Sequence, residues 1–248
     1  HAANPMLPVL PLAGMTLMNR TRFNSRCFDS LPAETLDFLT HLVARCDNID
    51  ACLTLTAIHP THDHPVPSRH IPITDVLMLH TALSRLFAAN AQGWGAYFAV
   101  GLRRQGLGRW QRGDTSSVVA LPALFADVDR HAADTLAQLR QFPLTPSCLV
   151  DSGGGYHVYW WLNAPTSDFP RARSLLRSLA THLGGDQFSV AQSLRVPGSI
   201  NTKPGRGGRC HVVEWFNRRY HLDDFDTIFF NFRNTERQKP FTTVQTLH

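Results

Sequence analysis

The sequence predicts an α+β fold. Short apolar runs of strand length, among them 120–128, 157–162 and 210–216, alternate with turn residues. Other stretches, at 34–45, 74–90, 132–141 and 169–183, carry apolar residues every three or four positions, the period of an amphipathic helix. The two kinds mix without a strict strand–helix–strand repeat, which argues against a doubly wound sheet.

Residues 1–30 are broken by prolines and polar residues and predict a partly flexible N-terminal arm. Leu31-Pro-Ala-Glu34 reads as a helix start, continued by Leu36, Leu39, Leu42 and Val43. A strand follows at 51–58. The stretch 59–70 contains Pro60, Pro65 and Pro67 and reads as a loop. The helix at 74–90 would bury Leu77, Met78, Leu83 and Phe87. A strand at 95–102 leads into a Gly/Arg loop at 101–114. Next come a strand at 120–128, a helix at 132–141, strands at 147–151 and 157–162, a helix at 169–183, a short strand or turn at Ile200 and a last strand at 210–216. The expected core is 31–235, with a C-terminal tail at 236–248.

A chain of 248 residues, 43% hydrophobic, suits one domain or two small lobes. Its net charge of +5 permits a polyanionic partner. Lys203 and Lys239 are the only lysines, so a lysine within a Gly/Pro/Asn turn stands out. Cys27, Cys46, Cys52, Cys148 and Cys210 form no C-x-x-C pair and read as reduced, buried thiols of a cytoplasmic protein. The apolar segment Met6–Met18 is too short to span a bilayer and lacks a basic flank, so no membrane partner is expected. A chain that begins with His1 rather than Met reads as a processed or cloned form, with room for helicase or accessory regions beyond His248 in a larger protein.

The chemistry concentrates in two stretches. In Ala123-Leu-Phe-Ala-Asp-Val-Asp129, Asp127 and Asp129 are two apart and therefore share a face at one end of a buried strand. Paired oxygen ligands of this kind suit Mg²⁺ or Mn²⁺ held together with phosphates. In Ser152-Gly153-Gly154-Gly155-Tyr156-His157, the glycines let backbone N–H groups approach an anion, Ser152 adds a hydroxyl, and His157 starts a new strand. Metal pair, phosphate turn and histidine together point to nucleotidyl transfer.

These motifs, followed by a further acid and by Leu194-Arg-Val-Pro-Gly-Ser-Ile-Asn-Thr-Lys203, resemble the archaeo-eukaryotic primase (AEP) superfamily, in its RepB-like primase and primase-polymerase branch of plasmids, phages and CRISPR-associated loci. The resemblance runs from about Gly93 to Trp215. It implies an RRM-like catalytic sheet beside a smaller α/β lobe, with the active site in the cleft between them. It also implies template-directed joining of NTPs or dNTPs on single-stranded DNA through a two-metal site. By the same resemblance, Ser152–Gly155 and His157 contact the incoming nucleotide's phosphates, Arg195, Asn201 and Lys203 provide basic phosphate contacts, and Asp186 completes the metal site. The chain departs from the family pattern at Val190, Ala191 and Gln192, where relatives carry another acid, which leaves Glu214 and Asp223 as alternatives to Asp186. A helicase or other replication or CRISPR component is an expected partner of the longer protein.

Arg103, Arg104, Arg109 and Arg112 interleave with Trp94, Tyr97, Phe98 and Trp110. Arginines follow phosphates and aromatics stack bases, so Arg103, Arg104, Arg109 and Trp110, extended by Arg206 and Arg209, are the expected nucleic-acid contacts. Core packing accounts equally well for Tyr97 and Phe98. His59, His62, His64 and His70, even with Cys52, match no standard zinc spacing, and zinc is not expected. His62-Asp63-His64 raises a second class, the HUH rolling-circle nickases, but an acid in the middle and three prolines argue against a central strand. A non-catalytic RRM-like binder is the third class, and it has no use for the acids.

Overall fold

The computed structural model describes residues 31–61, 63–186 and 189–237. The chain divides at Ser30, and the compact unit that begins at Leu31 contains all of the elements below. The expected arm at 1–30 and residues 238–248 of the expected tail lie outside the described residues. The strands are β1 (Cys52–Ile58), β2 (Ser68–Pro72), β3 (Gly95–Ala99), β4 (Leu102–Arg103), β5 (Val118–Val128), β6 (Cys148–Asp151), β7 (Tyr156–Thr166), β8 (Ser193–Arg195) and β9 (His211–Trp215). The helices are α1 (Ala33–Val43), α2 (Val76–Ala91), α3 (Ala133–Arg140), α4 (Phe169–Leu183) and α5 (Leu222–Arg237).

The fold is α+β, as expected: an antiparallel sheet of nine strands with five helices among the described residues. Strand order is β8-β3-β1-β4-β5-β7-β6-β9, with β2 on β1. The two expected lobes are halves of this sheet joined through β5. The start of β5 pairs with β4 (Leu102↔Ala120), and its end pairs with β7 (Ala123↔Trp161 to Val128↔Tyr156). The register shifts between Leu121 and Ala123, at Pro122, which has no N–H to give the ladder. Pro122 thus marks the changeover, and everything beyond it keeps one register as far as the acids.

The core forms where α1 lies on the sheet. Phe38 makes edge contacts with Phe98, Tyr159 and Trp161 at centroid distances of 5.2, 5.0 and 5.4 Å, binding both halves of the sheet to one ring. Helix α4 is specified locally. Asp168 caps it by accepting from the Arg171 N–H, Pro170 sits in its first turn, and Ala172, Leu175, Leu176, Leu179 and Leu183 form the buried stripe. It ends at Gly184, whose φ of 64° is left-handed.

Five elements differ from expectation, one of them β8, which pairs with β3 where the sequence predicts no element. Ser68–Pro72 is strand rather than loop, paired along β1 from Cys52↔Pro72 to Thr56↔Ser68. The strand expected at 95–102 breaks before Leu102; a Cβ at Gly101 would lie 2.4 Å from the Val190 carbonyl oxygen, so the chain turns there against the 189–192 segment. In α2 the buried stripe is Ala82, Leu83, Leu86 and Asn90, while Leu77 and Met78 fall off that stripe and are exposed. Finally, α5 occupies a region left unassigned and includes residues 236 and 237 of the expected tail. Its apolar Leu222, Phe225 and Phe229 have helical spacing, but Asp223, Asp224 and Asp226 interrupt them. No helix among the described residues is long and apolar enough to cross a membrane.

Candidate functional site

Register puts Asp127 of β5 directly opposite His157 of β7. Asp129 follows two residues on, just past the strand. The end of α4 brings the third acid: the Asp186 N–H donates to the Asp127 carbonyl at 3.0 Å. A Cβ at Gly185 would come within 2.4 Å of that same carbonyl oxygen, so only glycine permits this approach. The opposite wall comes from the other half of the sheet. Arg195 of β8 pairs with Tyr97 of β3, and its guanidinium sits 4.9 Å from the ring centroid. Asp127, Asp129, Asp186, His157, Tyr97 and Arg195 line one cavity of about 200 Å³, together with Ser152, Gly154, Gln192, Ser193, Leu194, Asn201, Lys203 and Arg206.

The cavity holds unmade bonds on both sides. Oδ1 of Asp127 is buried with no hydrogen-bond partner, and so are Nε and Nη1 of Arg195. Leaving such groups unpaired costs about 1–3 kcal/mol each, more when charged. Burial, then Asp129, then Asp186, push the Asp127 carboxyl up to about 7, against the pull of Lys203 and Arg195. Burial, then Arg195 and Lys203, push His157 down to about 3, so its ring is neutral at pH 7. Its Nε2 lies 3.7 Å from Asp127 Oδ1, too far for a hydrogen bond. Oxygen-only ligands with an orphaned carboxylate oxygen suit Mg²⁺ or Mn²⁺ in kind, although Asp127, Asp129 and Asp186 do not bring one oxygen each within 4.8 Å of one another. The cations facing it fit phosphate oxygens.

The glycine and basic turns brace each other. Asn201 Nδ2 donates to the Ser152 carbonyl at 3.1 Å, Asn201 Oδ1 accepts from the Lys203 N–H at 3.2 Å, and Arg206 Nη1 donates to the Gly154 carbonyl at 3.0 Å. Added Cβ atoms at Gly153 and Gly155 would meet the Gly208 and Val128 carbonyl oxygens at 2.5 and 2.4 Å. Close backbone packing therefore demands those glycines independently of any anion. Three expected donors are already engaged. The Ser152 hydroxyl donates to the Gly155 carbonyl at 3.1 Å, the Gly153 N–H donates to Asp151 at 2.7 Å, and the Asn201 amide is bonded as above. Asn201 braces the turn, and Arg206 belongs to the cavity wall.

The nucleic-acid set splits. Arg103 is 1% exposed and donates to the carbonyls of Gly101 and Ala191 at 2.7 Å each. It cannot reach a phosphate; it holds the 189–192 segment beside the cavity, and burial lowers its guanidinium to about 10. Arg104, Arg109 and Trp110 are exposed, and the Arg109 guanidinium lies 4.9 Å from the Trp110 ring centroid. Arg209 is exposed but paired with Glu34 at 2.6 Å. The alternative acids lie elsewhere, Glu214 paired with Arg140 and Asp223 with Arg171.

Sequence reasoning missed three supports. Asn90 donates to the carbonyls of Trp94 and Ile200 and accepts from the Ile200 N–H, at 2.7, 3.0 and 2.8 Å, anchoring the basic turn to the end of α2. Asp151 joins the glycine turn to His131, which stacks on Tyr156. Glu34 of α1 holds both Arg209 and the Val212 N–H. Asp151 beside Gly153 and Asn90 beside Trp94 are local pairs, whereas Ile200, His131, Arg209 and Val212 are distant in sequence from their partners.

No protein-family model matches the chain, nor does any curated protein by sequence. Solved structures do match in fold. The AEP domain of the cyanophage S-2L primase-polymerase superposes with a TM-score of 0.59 at 19% identity, over 79% of this chain and 96% of that one. The catalytic domain of the primase RepB′, solved with initiator DNA, gives a TM-score of 0.54 at 13% identity, over 84% of this chain and all of that one (100%). A longer RepB′ structure gives 0.54 at 12% identity, over 82% of this chain and 66% of its own. The chain therefore has the fold of the AEP-type primase and primase-polymerase catalytic domain, the family its motifs resemble.

Proposed function

We propose that this chain is a DNA primase-polymerase core that joins nucleoside triphosphates on a single-stranded DNA template. The observation that carries this reading is the pair of unmet demands in one cavity: an orphaned carboxylate oxygen among three acids on one wall, and unpartnered guanidinium nitrogens on the other. A divalent cation bound with a triphosphate answers both.

Asp127, Asp129 and Asp186 would hold Mg²⁺ or Mn²⁺, which when bound neutralises phosphate charge. Arg195, held in place by Tyr97, presents a flat fork to phosphate oxygens, and Lys203 adds a point charge. His157, neutral, donates one hydrogen bond to a phosphate oxygen without adding charge. The primer 3′-hydroxyl gives up its proton to solvent as its oxygen attacks the α-phosphorus of the nucleotide; the new P–O bond replaces the one to pyrophosphate, which leaves. The exposed Arg104, Arg109 and Trp110 are the template contacts. Among the described residues Cys46, Cys52, Cys148 and Cys210 are free and buried, which suits a cytoplasmic setting, and a helicase or other replication or CRISPR component would act beside this core.

The nickase alternative needs a histidine pair on a central strand, whereas Asp63 and His64 lie in the loop between β1 and β2. The test is incubation with single-stranded DNA, Mn²⁺ and labelled nucleotides, with and without a primer. Template-dependent products are expected. A covalent protein–DNA adduct with nicked DNA, and no synthesis, would overturn the reading.

A further inference from the structure

A second group of metal-ligand side chains stands outside the catalytic cavity. The loop after β1 folds so that one ligand atom from each of His59, Asp63 and His64 lies within 4.8 Å of the others. Asp63 Oδ1 is 3.6 Å from His59 Nδ1 and 3.5 Å from His64 Nε2. Ligands at about 2.0–2.1 Å around a tetrahedral ion are about 3.4 Å apart, so the Asp63–His64 edge already has nearly the right length. The edges to His59 close by rotation of partly exposed side chains.

The group is also held together without an ion. The Thr61 hydroxyl donates to the Asp63 carboxylate and so accepts from His59 Nδ1–H at 2.7 Å, fixing ring and acid relative to each other and leaving Nε2 as the nitrogen through which His59 would ligate. Trp94 packs beside both imidazoles, 5.0 Å from His59 and 5.6 Å from His64 by centroid. Pro60, Pro65 and Pro67 stiffen the loop. Sequence spacing offers no reason to expect zinc, and this grouping is one that spacing does not show. The other imagined ligands are elsewhere: Cys52 is buried in β1, and His70 bonds Thr54 and the Gln111 carbonyl.

We propose that His59, Asp63 and His64 bind a divalent transition-metal ion, with Zn²⁺ as its representative. Two imidazoles and one carboxylate form a borderline set that prefers such ions to Mg²⁺, and three protein ligands leave a position for water. The ion fastens the loop against Trp94. Trp94 leads into β3, where Gly95 pairs with Ile58 at the end of β1 and Tyr97 lines the catalytic cavity. The site is independent of the primase reading.

The test titrates the intact protein with Zn²⁺ in millimolar Mg²⁺, which occupies the acid site but competes poorly for imidazole. Binding is followed by calorimetry, and quenching by Ni²⁺ is read on tryptophan fluorescence. One equivalent of Zn²⁺ is expected to bind. Asp63→Asn and His64→Ala are expected to abolish that binding without changing the metal-free melting curve. Thr61→Val should weaken it about tenfold, as loss of an orienting partner does. Trp94→Phe should keep the binding but lose most of the quenching. Equal Zn²⁺ affinity in the parent and the His59→Ala/His64→Ala protein, or no stoichiometric binding by the parent, would overturn the proposal.

Discussion

Two arginine–aromatic pairs in this molecule have the same spacing and opposite surroundings. Arg195 and Arg109 each sit 4.9 Å from an aromatic centroid, Tyr97 and Trp110 respectively. Arg195 is 4% exposed with two guanidinium nitrogens unpartnered, whereas Trp110 is 61% exposed in an arginine-rich loop. Burial makes an unmet bond expensive, so the first pair demands a particular ligand. Exposure leaves the second pair with screened, forgiving interactions. On the proposed reading, the same pairing of arginine with an aromatic ring serves a specific triphosphate contact where it is buried and a sequence-tolerant strand contact where it is exposed.

The largest effect should come from the acids opposite Arg195. Asp127→Ala and Asp129→Ala should each reduce template-dependent synthesis below detection while the melting transition remains cooperative. Near-parental synthesis by both would break the contrast.

Stability should move the other way. The folded protein raises the Asp127 pKa to about 7 from an unfolded value near 3.8, so the folded state holds this proton more tightly. Without divalent cations, stability is therefore lost as pH rises from about 4 to about 7. Asp127→Asn should melt higher than the parent above pH 7, by on the order of 2–4 kcal/mol, and the gap should shrink towards pH 4. A parent as stable as the variant at pH 8 would show that the acids are not mutually strained.

A smaller effect is expected on the cationic wall. Arg195→Ala, Lys203→Ala and His157→Ala should weaken nucleotide binding about ten- to a hundredfold, with template affinity little changed. Arg195→Lys should not restore it, because an ammonium has neither the fork nor the flat face that lies over Tyr97. Equal loss of template affinity with unchanged nucleotide affinity would move these residues into the strand groove.

The smallest effects belong to the exposed pair. Arg109→Ala should flatten the salt dependence of single-strand binding by anisotropy. Trp110→Ala should cost about 1–3 kcal/mol at every salt concentration without changing that slope. Parental behaviour in both would remove the loop from the template path.

What was legible in the sequence follows from how local each feature is. The strand that ends in Asp127, the glycine turn and the helix at 169–183 are written in consecutive residues, and the structure has them where the pattern puts them, with Asp129 just past the strand end. Asp186 was reachable only through the family resemblance, since nothing near it in sequence says that α4 ends beside β5. Arg103 misled because its neighbours Arg104 and Arg109 are exposed; its burial depends on the Ala191 carbonyl, 88 positions away. Asn90 holds Ile200 across 110 positions. Long-range pairing set both roles, and no window of sequence contains it.

The most direct test asks whether the two walls of the cavity act as one site. Nucleotide affinity is measured with Mn²⁺ and with EDTA, for the parent and for Asp127→Ala/Asp129→Ala. The expected result is a loss of at least about tenfold on removing the ion from the parent, with the double variant already weak and indifferent to Mn²⁺. Parental affinity that is the same in Mn²⁺ and EDTA would contradict a cavity in which acids and cations hold the metal and the triphosphate together.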